Sequence, residues 1–265
     1  MSIQAMHIAN GVIDNPVAVA FIGIAVAGLV VCFTLGRRQL DDRLAPMAGL
    51  VAAFIFAVQM LNFPVLPGVS GHLLGGTLAA MLVGPYLGAI CVAIVLVVQA
   101  LIFSDGGVTA IGLNITNMAL VGTAAGYLLV ALMLRVLPRK AWAVTATALV
   151  ASVVSVVVAG LAFVLEYWIG GAASVGKTIS GVALAMGGTH ALIGLGEGLI
   201  TAATVGYVAK VRPDLVYALR MRPRVAAGRP VAAAEQPVVA AEQPVVAAEQ
   251  PVAPPASVPT GGGAG

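Results

Sequence analysis

Charged residues are scarce in this chain. Aspartate, glutamate, lysine and arginine together make up 9% of its 265 residues, whereas a soluble domain of average composition carries about 25%. So little charge does not cover a water-facing surface, which excludes an ordinary soluble domain. Hydrophobic residues make up 60% of the chain and the mean hydropathy is +1.06. The composition therefore predicts an integral membrane protein.

Cysteine and aromatic residues are also few. The two cysteines, Cys32 and Cys91, both lie in apolar runs. They are too few and too far apart for a disulfide framework or a thiolate metal site, so we expect them to be packing residues. Aromatic residues make up 5% of the chain, while glycine occurs 32 times. Small residues favour transmembrane helices that pack closely, backbone to backbone.

Seven apolar runs are candidate membrane helices. They cover residues 16–36, 45–63, 71–84, 86–103, 109–134, 142–169 and 181–209. The third run is short for a hydrocarbon layer about 30 Å thick, because a helix rises about 1.5 Å per residue. The predicted fold is an all-α integral membrane protein with about seven transmembrane helices.

The basic residues predict the orientation of these helices. With the N-terminus outside and the C-terminus in the cytoplasm, twelve of the thirteen lysines and arginines fall on the cytoplasmic side, and Lys177 is the exception. The positive-inside rule selects this arrangement over its reverse. The net charge of +3 is then a signal of topology, and we expect membrane lipid rather than nucleic acid around the protein. The expected location is the inner cell membrane, crossed several times.

The C-terminal part of the sequence has a different character. Residues 233–251 repeat Ala-Ala-Glu-Gln-Pro-Val-Val, so that a proline recurs every seven residues. A proline in each repeat is incompatible with a coiled coil. We therefore divide the chain into a membrane domain, residues 1–222, and a disordered cytoplasmic tail, residues 223–265.

Polar residues within the predicted spans gather in the outer half of the membrane. Side chains of this kind are costly in a bilayer, so their placement indicates where function lies. The set comprises Gln59, Asn62, His72, Gln99, Asn114, Asn117 and His190, and Glu197 lies seven residues beyond His190 on the same helix face. One explanation for these polar residues is hydrogen bonding between helices, with His190 and Glu197 forming a buried structural pair. The other is a shared pocket open to the outside, also reached by His7 from the N-terminal segment.

Histidine in such a pocket suggests a transition metal, because neutral imidazole is a common metal ligand. If Met6 is the first residue, Met6 and His7 offer an amine, an amide and an imidazole that close fused chelate rings in one plane. His72 would supply a fourth nitrogen. Four nitrogens in a plane suit Ni(II) or Cu(II), whereas zinc prefers a tetrahedron.

Several motifs resemble those of the CbiM/NikM family, the substrate-capture subunits of energy-coupling factor transporters for cobalt and nickel. The resemblance covers residues 6–209. It rests on Met6-His7-Ile8, Leu61-Asn62-Phe63-Pro64-Val65, Gly68 to Gly76, Gln99-Ala100-Leu101, Asp105-Gly106-Gly107, Asn114 with Asn117-Met118, and His190 to Glu197.

The resemblance implies a seven-helix protein whose N-terminal segment tucks into the bundle and holds Co(II) or Ni(II) as transported substrate. The implied ligands are Met6, His7 and His72. Gln59, Gln99, Asn114, Asn117 and His190 are candidates for the groups around them, chosen by location. The implied partners are a transmembrane coupling subunit, two cytoplasmic ATPase subunits and a small membrane accessory subunit like CbiN or NikN. No enzymatic activity is expected, and the residues do not distinguish cobalt from nickel.

The five residues before Met6 depart from the family pattern, because an amine bonded to Ala5 is an amide. Either translation starts at Met6, which we favour, or the extension is removed, or this protein binds metal differently. An N-terminus at Met6 is therefore an expectation on which the amine ligand depends.

Three further motifs or compositions suggest other functions. Residues 171–178 match the phosphate-loop pattern G-x-x-x-x-G-K-[ST], but that loop requires a preceding strand. We expect a chance match, with no ATP bound to this chain. Ser70 in Gly68-Val69-Ser70-Gly71, with His190 as base, would suit a rhomboid-like intramembrane serine protease. A vitamin-binding capture subunit is the third possibility, although the few aromatic residues argue against it.

Overall fold

The computed structural model describes residues 7–66, 69–138 and 140–220. Met6 and the predicted tail, residues 223–265, lie outside the described residues, so the structure does not test the predictions made for them. The described part of the chain is mostly helical.

Seven helices follow the seven apolar runs of the sequence. They are α1 (Asn15–Gly36), α2 (Leu44–Gln59), α3 (Gly76–Val83), α4 (Pro85–Ile102), α5 (Ile111–Val136), α6 (Ala141–Gly170) and α7 (Ile179–Val211). Five of them, all but α2 and α3, are long and apolar enough to cross a membrane. After α7 the chain continues through a 3₁₀ turn, Pro213–Leu215, to a short helix α8 (Tyr217–Arg220).

The outer surface of the helices is apolar, as a lipid-facing surface must be. On α1, Val19, Val26 and Phe33 are all more than half exposed. Exposed leucines and valines recur on α5, α6 and α7. A soluble protein rarely exposes apolar surface of this extent, so the fold confirms the predicted membrane protein.

One segment departs from the all-α prediction. Residues 62–66 and 69–72 form two antiparallel strands, β1 (Asn62–Leu66) and β2 (Val69–His72), with Asn62 opposite His72. The second predicted span therefore ends at Gln59, and the third begins at Gly76 instead of residue 71. The physical reason lies in Pro64 and Pro67, which do not continue a helix. A hairpin still pairs backbone groups that would otherwise lack partners inside the protein.

The short helix α3 does not need to span the membrane, because all of its eight residues are buried. It begins after Gly75, whose φ of 77° is left-handed, and ends before Gly84, whose φ is 92°. Glycine adopts this backbone without the Cβ clash that other residues meet. A Cβ on Gly84 would lie 3.0 Å from the ring of Tyr217. The chain after α7 thus packs beneath α3 at the end of the bundle away from the hairpin.

The segment before α1 is hydrogen-bonded to the end of α6 and to the α4–α5 loop. Asp14 accepts a hydrogen bond from Val17 N at 3.0 Å and so caps α1, while its own N–H donates to Gly170 O at 2.7 Å. Closer to the N-terminus, Gly107 N donates to Ile8 O at 2.9 Å. These bonds place His7 inside the bundle, beside the hairpin.

Candidate metal centre

A cavity of about 40 Å³ lies where the N-terminal segment, the hairpin and helices α5, α6 and α7 meet. This volume exceeds the roughly 15 Å³ that a single water requires. The cavity is lined by His7, Ile8, Val69, Gly71, His72, Leu74, Asn114, Asn117, Met118, Ala159, Gly160, Phe163, Met186 and His190. All three histidines of the protein therefore border one space.

His7 is 3% exposed and its ring is held by a carboxylate. Nδ1 lies 3.2 Å from Oδ1 of Asp105, in the loop between α4 and α5. Nε2 is buried and meets no hydrogen-bonding atom among the residues that the structure describes. Asp105 is brought to this point by the turn that follows it, because Gly106 has a φ of 100°. A Cβ on Gly106 would lie 3.0 Å from Cβ of His7.

His72 faces His7 at the end of strand β2. The centroids of the two rings are 4.5 Å apart, with the edge of one ring toward the face of the other. Nδ1 of His72 lies 2.8 Å from Leu73 O, an acceptor that orients the ring and leaves Nε2 available as a ligand. The pKa of His72 lies well below its usual value, mainly because the ring is buried and secondly because His7 is close by. The imidazole is therefore neutral, which is its metal-binding form.

His190 lines the cavity but is oriented by its own helix. Its Nδ1 lies 2.8 Å from Met186 O, one turn earlier in α7. The ring packs over Gly160 of α6, where a Cβ would lie 2.6 Å from Cγ of His190. The pairing with Glu197 that the sequence suggested does not occur. Glu197 instead accepts a hydrogen bond from Leu74 N.

The candidate amides take different positions around this cavity. Asn114 lines it and accepts a hydrogen bond from Ile8 N at 3.3 Å, next to His7. Asn117 also lines it and donates to Glu166 at 2.8 Å. Gln59 and Gln99 are buried but are not among the lining residues. Gln59 donates to Leu74 O at 2.8 Å.

Gln99 acts through its backbone, because its carbonyl accepts the N–H of Asp105 at 3.0 Å. The structure thus brings His7, His72, His190, Asn114 and Asn117 to the cavity. Gln59 contacts the lining residue Leu74, whereas Gln99 contacts Asp105, which in turn contacts His7.

Two acidic residues near the cavity were missed by the choice of candidates from the sequence. Asp105 contacts His7, and Glu166, which is buried on α6, contacts Asn117. Both carried a usable signal. Glu166 is an ionisable residue within an apolar run, which is by itself an indication of function. Asp105 precedes two glycines in a turn at the predicted outer surface.

The phosphate-loop match at residues 171–178 lacks the required context. It follows helix α6 and precedes helix α7, whereas a phosphate loop follows a strand.

Comparison with known proteins identifies the family. The model for the CbiM family, described as the cobalt uptake substrate-specific transmembrane region, matches residues 7–215. A protein of Archaeoglobus fulgidus, named as a fused nickel transport protein NikMN, is 40% identical over 211 residues, which cover 80% of this chain and 68% of that protein. The cobalt transport protein CbiM of Sorangium cellulosum is 32% identical over 234 residues, 84% of this chain and 99% of that protein.

A solved structure is also similar. The crystal structure of a transition metal transporter superposes with a TM-score of 0.69 and 27% sequence identity, covering 78% of this chain and 93% of that chain. These findings do not favour the protease or the vitamin-binding alternative. The chain belongs to the CbiM family, and it is a multi-pass membrane protein of metal transport rather than an enzyme.

Proposed function

We propose that this chain captures Co(II) or Ni(II) as substrate in the cavity between His7 and His72, as the binding subunit of an importer. The observation that carries the proposal is the proximity of these two buried imidazoles, whose ring centroids are 4.5 Å apart, in a protein of the CbiM family. The names of the relatives, which specify cobalt in one case and nickel in another, support both ions as cargo.

Four nitrogens form the proposed ligand set: the amine of Met6, the amide of His7, the imidazole of His7 and the imidazole of His72. Two imidazoles alone are a sparse set for a divalent ion. In the described part of the chain no three His, Cys, Asp or Glu side chains cluster as a metal site. Backbone nitrogens are therefore the ligands that complete the set, and a planar field of four nitrogens suits Ni(II). The amide loses its proton when it binds.

The imidazole of His7 must turn for this chelate to close. Only Nδ1 is near enough to the amide of its own residue to form a six-membered ring with the metal, and in the structure Nδ1 contacts Asp105. Rotation about the Cβ–Cγ bond brings Nδ1 to the metal and leaves the Nε2 proton for a carboxylate acceptor. A ligating histidine usually donates its other N–H in this way. Asp105 is the proposed acceptor.

The cavity opens to the outer side in this proposal. Arg43, Arg212 and Arg220 lie near one another at the opposite end of the bundle, around the α1–α2 turn and the segment after α7. The positive-inside rule assigns that end to the cytoplasm. The N-terminus is then outside and the metal enters from there.

Import requires partner subunits in this proposal. The fused NikMN name of a relative supports a small NikN-like membrane partner. A transmembrane coupling subunit and two ATPase subunits would supply the energy, with no ATP bound to this chain.

Loss of either histidine tests the proposal. We expect His7→Ala and His72→Ala each to weaken Ni(II) and Co(II) binding at least about 100-fold in calorimetric titrations of the purified protein, because each removes a ligand. Gly188→Ala is the control, since a Cβ there meets nothing within 4 Å. Unchanged affinity in both histidine variants would contradict the ligand set.

A further inference from the structure

Side chains from two different helices hold the backbone N–H and the backbone carbonyl of Leu74. Its N–H donates to Oε2 of Glu197 on α7, and its carbonyl accepts from Nε2 of Gln59 on α2 at 2.8 Å. Both side chains are buried, with exposed fractions of 2% and 1%. In a membrane protein a buried carboxyl group is costly and is retained where it has a function.

Leu74 lies two residues after His72, at the corner where the hairpin turns into α3. The corner is rigid on its other sides as well. His72 Nδ1 lies 2.8 Å from Leu73 O, and a Cβ on Gly75 would lie 2.7 Å from Ile55 of α2. The orientation of the His72 ring therefore depends on where α2 and α7 hold this corner.

The other ligand-bearing segment is held by different elements. The backbone around His7 bonds to Gly107 and Asn114, which belong to the α4–α5 loop and to α5. Displacement of α7 relative to α2 would pull on the corner at Leu74 and move His72, while His7 kept its own contacts. The two histidines are thus attached to separate parts of the bundle.

We propose that Glu197 and Gln59 are positioning residues that hold the His72 imidazole in the metal site. The spacing of α2 and α7 then determines the position of the fourth nitrogen ligand. Neither side chain touches the metal. This inference rests on the proposed function and adds a link between the site and the arrangement of the helices. When α2 and α7 are close enough for both hydrogen bonds to Leu74, His72 is held at the metal, and when they move apart His72 is released.

Variants at Glu197 separate positioning from a merely structural role. Glu197→Gln keeps an oxygen that accepts the Leu74 N–H, whereas Glu197→Ala removes it. Thr201→Ala is the matched control, since Thr201 is buried one turn further along α7 and its hydroxyl has no partner among the described residues. The full chain, in detergent, is titrated with Ni(II) by calorimetry and by visible absorption. His72→Ala provides the spectrum of a site without the fourth nitrogen.

We expect Glu197→Ala to weaken Ni(II) binding about 10- to 100-fold, as loss of an outer contact to a metal ligand does. Its absorption band should move toward that of His72→Ala, because water replaces the imidazole. Glu197→Gln should restore most of the affinity and the original band, and Thr201→Ala should match the unmodified protein. Gln59→Leu, which removes the opposite hydrogen bond, should shift the band in the same direction and provides the test if Glu197→Ala does not fold.

An unshifted band in both Glu197→Ala and Gln59→Leu overturns the inference, whether or not the affinity falls, provided that His72→Ala binds Ni(II) more weakly and its own band is shifted. If His72→Ala binds Ni(II) as the unmodified protein does, the ligand set itself fails and the inference fails with it. The two failures are therefore distinguishable.

Discussion

Gly107 offers a test of whether the docked N-terminal segment creates the metal site. Its N–H donates to Ile8 O at 2.9 Å. A Cβ at this position would lie 2.5 Å from Asn10 N and 2.8 Å from the carbonyl carbon of Ala9. Both are backbone atoms, which cannot rotate away as a side chain can. In Gly107→Ala the segment that carries His7 must therefore move.

The size of the effect follows from this contact. Ordinary contacts begin at about 3.4 Å, so Asn10 N must retreat by about 1 Å. Overpacking of this kind costs about 1–3 kcal/mol. If the segment relaxes outward in the free protein, metal binding has to restore the strained position. The same energy then appears in the Kd for Ni(II), which should rise about 5- to 150-fold.

Calorimetric titration with Ni(II) measures this change in Kd, and a thermal melt of the same samples measures the stability of the helical bundle. We expect the melt to stay near that of the unmodified protein, because the contact involves a loop and not the helix core. Gly188→Ala is the control for an added methyl group. Equal Kd values for Gly107→Ala, Gly188→Ala and the unmodified protein would refute the role of the docked segment.

Two further predictions concern the chemistry of the site. Asp105→Ala should weaken Ni(II) binding about 10- to 100-fold by removing the acceptor for His7, whereas Asp214→Ala, on the exposed segment after α7, should leave the titration unchanged. Affinity should fall as the pH is lowered from about 8 to 6, because the amine and the amide must lose protons to bind. The lowered pKa of His72 keeps that ring neutral over this range, so its share of the fall is small. A Kd independent of pH would contradict the amide ligand.

The long helices were predictable from composition, because about 20 apolar residues are needed to cross a bilayer and few alternatives exist for such runs. The hairpin was not. Pro64 and Pro67 indicate a break in the helix, but pairing of β1 with β2 depends on the space that the surrounding helices leave. The burial of α3 was likewise not predictable from the sequence, because its eight residues are buried by neighbours distant in the sequence.

The candidate site shows the same division. His7 and His72 were identified from their residue type and motifs, whereas the contact of His7 with Asp105 joins residues 98 positions apart and has no local signature. The suggested pair of His190 and Glu197 is wrong for a geometric reason. Seven residues along a helix separate them by about 10 Å, and each bonds to a backbone group closer at hand.

The nitrogen ligand set is tested most directly by titrating the chain that begins at Met6 with Ni(II) and with Co(II), beside a chain that keeps residues 1–5. The account predicts one ion bound per chain, with the absorption of planar four-nitrogen Ni(II), and far weaker binding when Met6 is preceded by Ala5. Absence of heat with both ions, or equal binding by the two chains, would contradict it.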